Sequence, residues 1–218
     1  MNTFALVAGL VVLASIWLGP LPNAASDSFA AHMTMHMAVV AVGAPLIAVA
    51  MAGTAFDPVR AMPRLMAPVA MSLVELVVVW GWHAPALHHA VRRDPLILVL
   101  EQASFFAAGF LLWIAAVGGD REHRASREAA GIVALLFTSM HMTLLGALFT
   151  LANRPVFARS AEDAPALSDQ HLGGAIMLVV GGVSYLAGGL WLTARMLRAK
   201  RTAQPARIVA APQSGATS

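Results

Sequence analysis

The sequence predicts an all-α fold: a polytopic membrane helical bundle of about six transmembrane helices, with both termini cytoplasmic. Three observations predict it. First, 59% of the 218 residues are hydrophobic and only 11% are charged, whereas an average soluble domain carries about 25% charged residues. So few charges cannot cover a globular surface, which nearly rules out a soluble enzyme. Second, the mean hydropathy of +0.73 is concentrated in six apolar runs, and a helical span needs about 20 such residues. Third, Lys and Arg are distributed unequally between alternate loops. Six spans leave no room for a soluble domain of normal size. The organisation expected is one transmembrane domain, 1–198, and a disordered cytoplasmic tail, 199–218.

The runs lie at roughly 3–19, 33–53, 65–82, 95–117, 129–151 and 172–196. Pro20 and Pro22 close the first, and Asp57-Pro58 and Pro63 mark the loop after the second. Pro85 and Arg92-Arg93-Asp94-Pro95 mark the third loop, Gly118 to Arg127 the charged fourth, and Arg154-Pro155 the start of a polar fifth. The first run could be a cleaved leader, since Asn23 to Ser26 are small. It lacks a basic leading segment, so it is read as a span.

Orientation follows from the basic residues. With the amino terminus inside, the cytoplasmic loops and tail hold Arg60, Arg64, Arg121, Arg124, Arg127, Arg195, Arg198, Lys200, Arg201 and Arg207. The outer loops hold only Arg92, Arg93, Arg154 and Arg159, as the positive-inside rule requires. The same topology explains the basic pI of about 10.5 without nucleic acid. The absence of cysteine excludes disulfides, zinc ribbons, iron–sulfur ligation and thiolate copper transfer.

On this topology seven of the eight histidines fall in the outer half. His32 and His36 start span two, His83, His88 and His89 follow span three, His171 starts span six, and His141 lies near mid-depth; only His123 is cytoplasmic. Glu75 and Glu101 lie inside apolar runs, where ionisable groups are costly and face a partner or a cavity. They and His141 could meet in one outward-opening pocket. His32 and His36 are spaced i, i+4, so both imidazoles project from one face if residue 32 is helical. Met33, Met35 and Met37 interleave with them, and Met140 and Met142 flank His141. Imidazole with thioether suits copper, especially Cu(I). The candidate metal ligands are His32, His36, His83, His141, His171, Met33 and Glu101.

Each group also has a plainer reading. Methionines pack, terminal histidines hydrogen-bond at the interface, His88 and His89 are loop residues, and the glutamates brace helices. Trp80, Trp82 and Trp113 fit an aromatic belt. Gly174, Gly181 and Gly188, seven apart, line one face of span six for close helix contact. Ser168 or Asp169 can cap that helix. No phosphate loop, Walker motif or nucleophile elbow is present, so no reaction is named and the chain is read as a non-enzyme.

Five blocks, in order over roughly residues 30 to 190, resemble the multi-span cytochrome c oxidase assembly factor family of the CtaG type, associated with caa-type oxidases. They are His32 to Met37 with Ala44-Pro45-Leu46; Trp82 to Leu87; Leu100-Glu101 through Gly109 to Trp113; Met142 to Leu148 with Arg154-Pro155; and Asp169 to Gly174 leading to Gly181-Gly182. The chain departs from the family pattern at Gln102, often histidine there, at His88, often aromatic, and at His171, usually glutamine. The resemblance implies maturation of a haem–copper oxidase at its copper step, in the bacterial inner membrane. Outward-facing His and Met would take Cu(I) from a periplasmic or extracellular donor and pass it to oxidase subunits. Membrane lipids are the surroundings, and a homo-oligomer is compatible. A haem-binding protein, a transporter and a metal-free scaffold for oxidase subunits are the alternatives.

Overall fold

The structure is a computed structural model and describes residues 1–120, 122–157 and 167–209. The described residues are helical with no strand. In chain order the helices are α1 (Thr3–Leu18), α2 (Leu21–Asp27), α3 (Phe29–Ala38), α4 (Ala44–Met51), α5 (Pro58–Ala61), α6 (Pro68–Trp82), α7 (Pro85–Val91), α8 (Pro95–Val117), α9 (Arg124–Thr150), α10 (Leu167–Ile176) and α11 (Gly182–Val209). Short π-helical turns, Val39–Gly43 and Met177–Gly181, join α3 to α4 and α10 to α11. Phe29–Met51, Pro95–Val117, Arg124–Thr150 and Leu167–Ala199 are each long and apolar enough to cross a membrane. The bent pairs α1–α2 (53°) and α6–α7 (74°) raise the number to six if each is one span. The part of the expected tail beyond Val209 lies outside the described residues, as does Arg121.

Local chemistry sets these boundaries. Proline occupies the first turn of α5, α6, α7 and α8, where its missing N–H costs nothing. Asn2, Asp57 and Asp94 accept backbone N–H bonds at the starts of α1, α5 and α8. Asp57 also ties the loops of its end together, accepting from Gly53 N at 2.8 Å, Val59 N at 2.9 Å and Gly119 N at 2.8 Å.

α9 runs through the bundle and packs on α6, α8, α10 and α11, while α8 lies against α4 and α6. Lipid tails are as apolar as leucine, so helix association here depends on close packing. The expected glycine face of span six supplies it. A methyl on Gly174 would sit 2.8 Å from Gly146 O, one on Gly181 3.3 Å from Met142 Cβ, and one on Gly188 would strike Trp113. Trp113 is therefore a buried packing residue, stacked on Tyr185 with centroids 5.9 Å apart, and not part of an interfacial belt. Trp82 donates to Ser104 Oγ at 2.7 Å.

The helix ends sort by chemistry. One end holds His32, His83 and His88. The other holds Arg60, Arg64, Arg124, Arg127 and Arg195 with their ion pairs Arg60–Asp120 and Arg195–Glu128.

Candidate functional site

The histidine end is assembled by a cap that reaches across the bundle. Ser28 caps α3, accepting from Ala31 N at 3.1 Å. Asp169 on α10 accepts from Ser28 Oγ at 2.8 Å, Phe29 N at 2.6 Å and Ala30 N at 3.2 Å. Its carboxylate thus serves the start of span two, where it satisfies free N–H groups and favours the positive end of the dipole. This corrects the expectation that Asp169 caps its own helix. The helix also begins four residues before the expected run, so His32 is already helical.

His32 and His36 consequently share a face, with ring centroids 4.3 Å apart, and both are buried. α8 brings Glu101 and Gln102 against them. Glu101 Oε1 lies 3.4 Å from His32 Nε2 and 3.5 Å from His36 Nε2. Gln102 Nε2 lies 2.7 Å from His36 Nδ1 and 3.3 Å from Glu101 Oε2. One ligand atom from each of His32, His36 and Glu101 fits within 4.8 Å of the others.

Two more imidazoles adjoin this group. His83 follows the last turn of α6, where the chain bends into α7, and its ring is 5.6 Å from that of His36. Its Nδ1 lies 2.7 Å from Val79 O, so Nδ1 carries the proton and donates it. Nε2 then presents a lone pair, and it has no hydrogen-bond partner. His88 is on α7, not in a loop. It stacks on Phe157 at 4.0 Å and stands edge-on to His32 at 5.5 Å, and its Nε2 also lacks a partner. Phe29, Phe105 and Phe149 surround the imidazoles.

The electrostatics are unusual in one respect. Glu101 is 0% exposed, and its ion-pair partners are two imidazoles, not a lysine or arginine. A buried carboxylate needs a cationic counterpart. Imidazole nitrogens with one carboxylate oxygen are a donor set for borderline divalent and copper ions. A cavity of about 280 Å³ reaches His32 from this end, between Ser26, Val91, Arg92 and Leu98.

Of the residues expected to hold a metal, His32, His36, His83 and Glu101 are brought together. Met33 is buried but points elsewhere: its Cγ would lie 3.1 Å from a methyl on Gly173 of α10. His171 lies apart, with Nε2 2.9 Å from Ala152 O. His141 packs on Phe137, at 5.7 Å between centroids, and neither of its nitrogens has a hydrogen-bond partner. Sequence reasoning left out Gln102 and His88. The one signal for Gln102 was its place beside Glu101 where histidine is frequent in the resembled family.

The two glutamates do not share a pocket with His141. Glu75 accepts from the Tyr185 hydroxyl, near Thr138, in a second buried polar group below the histidines. Ser184 of the same helix donates to Ala41 O at 2.6 Å, inside the π-helical turn of span two.

A family model described as a cytochrome c oxidase caa3 assembly factor matches residues 1–199. No curated protein and no solved structure matches this chain.

Proposed function

The chain belongs to the cytochrome c oxidase caa3 assembly factor family, and we propose that it serves oxidase assembly by holding copper at His32, His36, His83 and Glu101 and handing it to an oxidase subunit. The observation that carries this reading is Glu101, buried against imidazoles alone, with Glu101 Oε1, His32 Nε2 and His83 Nε2 unbonded around it. A metal ion would supply the missing positive charge and use those lone pairs. Copper is the cargo here, and the role is binding and delivery without catalysis.

The chain's own groups prepare the site. The Val79 carbonyl fixes the His83 tautomer with its lone pair on Nε2. Gln102 acts on His36 in the same way. As it stands, the amide nitrogen faces Nδ1 and the amide oxygen has no partner. With the amide turned over, its oxygen accepts Nδ1–H and leaves Nε2 of His36 free for the ion. Partners beyond a metal site commonly set ligand orientation in this way. Nitrogen and oxygen donors without a thioether in place bind copper less tightly than thiolates do, which suits a carrier.

The cavity beside His32 is the opening for copper. The basic residues cluster at the opposite end, so by the positive-inside rule the opening faces outward, toward a periplasmic or extracellular donor in a bacterial inner membrane.

The test is metal analysis with an optical spectrum on detergent-purified protein, loaded anaerobically with Cu(I) and challenged with a chelator. Near-stoichiometric copper without a Soret band supports the carrier. A Soret band would instead establish a haem protein, and neither metal nor haem would leave a scaffold for oxidase subunits.

A further inference from the structure

The basic end of the bundle carries a second recess, of about 580 Å³, lined by Pro63, Arg64, Pro68, His123, Ser126 and Arg127 among others. It lies between the starts of α6 and α9, more than a helix length from the histidines. The copper reading makes no use of it.

Its charge balance is one-sided. Asp120 is also in the lining, but its Oδ1 lies 3.1 Å from Arg60 Nε. Asp57 is occupied by three backbone N–H groups. Glu128 is held by Arg195 at 2.5 Å. Arg127 is fixed in place, donating from Nη1 to Met66 O at 2.9 Å, which leaves its other N–H groups for the recess. Among the described residues neither Arg64 nor Arg127 has a carboxylate partner. His123 and Ser126 add donors at the wall. The starts of α6 and α9 have no side-chain cap, so their positive dipole ends contribute in the same direction.

The surroundings of the recess are apolar. Leu65 is 61% exposed and Val69 45% exposed, immediately beside Arg64 and Pro68. Guanidinium groups bind phosphate through paired N–H bonds, and a free phosphate ion would gain nothing from the flanking leucine and valine. A phospholipid would use both. We propose that this recess binds the phosphate-bearing headgroup of an anionic phospholipid, with the acyl chains lying along Leu65 and Val69. Basic pockets between helices at the cytoplasmic face bind such headgroups in general.

The full chain, purified in neutral detergent, tests this by native mass spectrometry and thermal unfolding with phosphatidylglycerol, phosphatidylcholine or inorganic phosphate. Phosphatidylglycerol is expected to stay bound and to raise the unfolding midpoint, while phosphatidylcholine does neither. Arg64 is exposed and braces nothing, so Arg64→Gln folds normally; it should weaken phosphatidylglycerol about fivefold, the effect of about one basic residue near an anionic headgroup. Arg93→Gln at the opposite end should leave binding unchanged. Equal binding of the two lipids, or no effect of Arg64→Gln, overturns the proposal. Inorganic phosphate reproducing the whole effect overturns the lipid source and makes the recess a site for a soluble phosphate.

Discussion

Tyr185 donates its hydroxyl hydrogen to the carboxylate of Glu75, joining span six to span three across 110 residues of sequence at a point where both side chains are buried. Tyr185→Phe keeps the ring that stacks on Trp113 but removes the donor. A buried acceptor left unpaired costs about 1–3 kcal/mol. We expect a lower unfolding midpoint in detergent for Tyr185→Phe and a smaller loss for Glu75→Gln, which can still accept. The opposite order would show that the bond is not what holds these helices together.

His32→Ala and His36→Ala should each reduce bound copper toward background, because they remove donors on either side of Glu101. His171→Ala should not, since His171 sits with Ala152 O outside the cluster. Copper per chain after gel filtration gives the comparison. Equal losses from all three would mean that the measured copper is held elsewhere or lost through unfolding.

Asp169→Ala should act on the site from a distance. It removes the acceptor for Ser28 Oγ and for two amides of the first turn of α3. A lost cap costs about 0.5–2 kcal/mol, and this one also fixes where His32 and His36 begin. The expected result is faster amide hydrogen exchange over residues 28–36. Unchanged exchange there would remove Asp169 from the account.

Gly146→Ala and Gly189→Ala should differ. A methyl on Gly146 meets Leu178 N at 2.7 Å and Gly174 O at 2.9 Å, both backbone atoms of the facing helix. On Gly189 it meets only Leu136 side-chain carbons at 3.5 Å and beyond. Overpacking costs about 1–3 kcal/mol, while Gly→Ala within a helix gains up to about 1 kcal/mol. Gly146→Ala should therefore destabilise and Gly189→Ala should be neutral or stabilising, as read by thermal unfolding.

The apolar runs made the spans legible, because lipid-facing and core-facing residues are both apolar and the breaks carry proline and charge. The His32/His36 pair was legible from its spacing. Met33 misled for a geometric reason: one step along a helix turns a side chain by about 100°, so the neighbour of a ligand points away from it. His88 looked like a loop residue because α7 is only seven residues long. Gln102 acquires its meaning solely from contact with a helix 66 positions away. The three-way role of Asp169 is likewise a tertiary fact, since by sequence it reads as an ordinary cap of its own helix.

The π-helical turn Val39–Gly43 begins three residues after His36. Such a turn accommodates one residue more than an α-turn does. Deleting a single residue there would restore an unbroken α-helix and rotate everything before it by about 100° relative to everything after it. His32 and His36 would swing off Glu101, although every side chain of the site would still be in the sequence. The bearing of the histidine pair is thus encoded in chain length between His36 and Pro45. A relative one residue shorter over that stretch could match each ligand by identity and yet assemble no site.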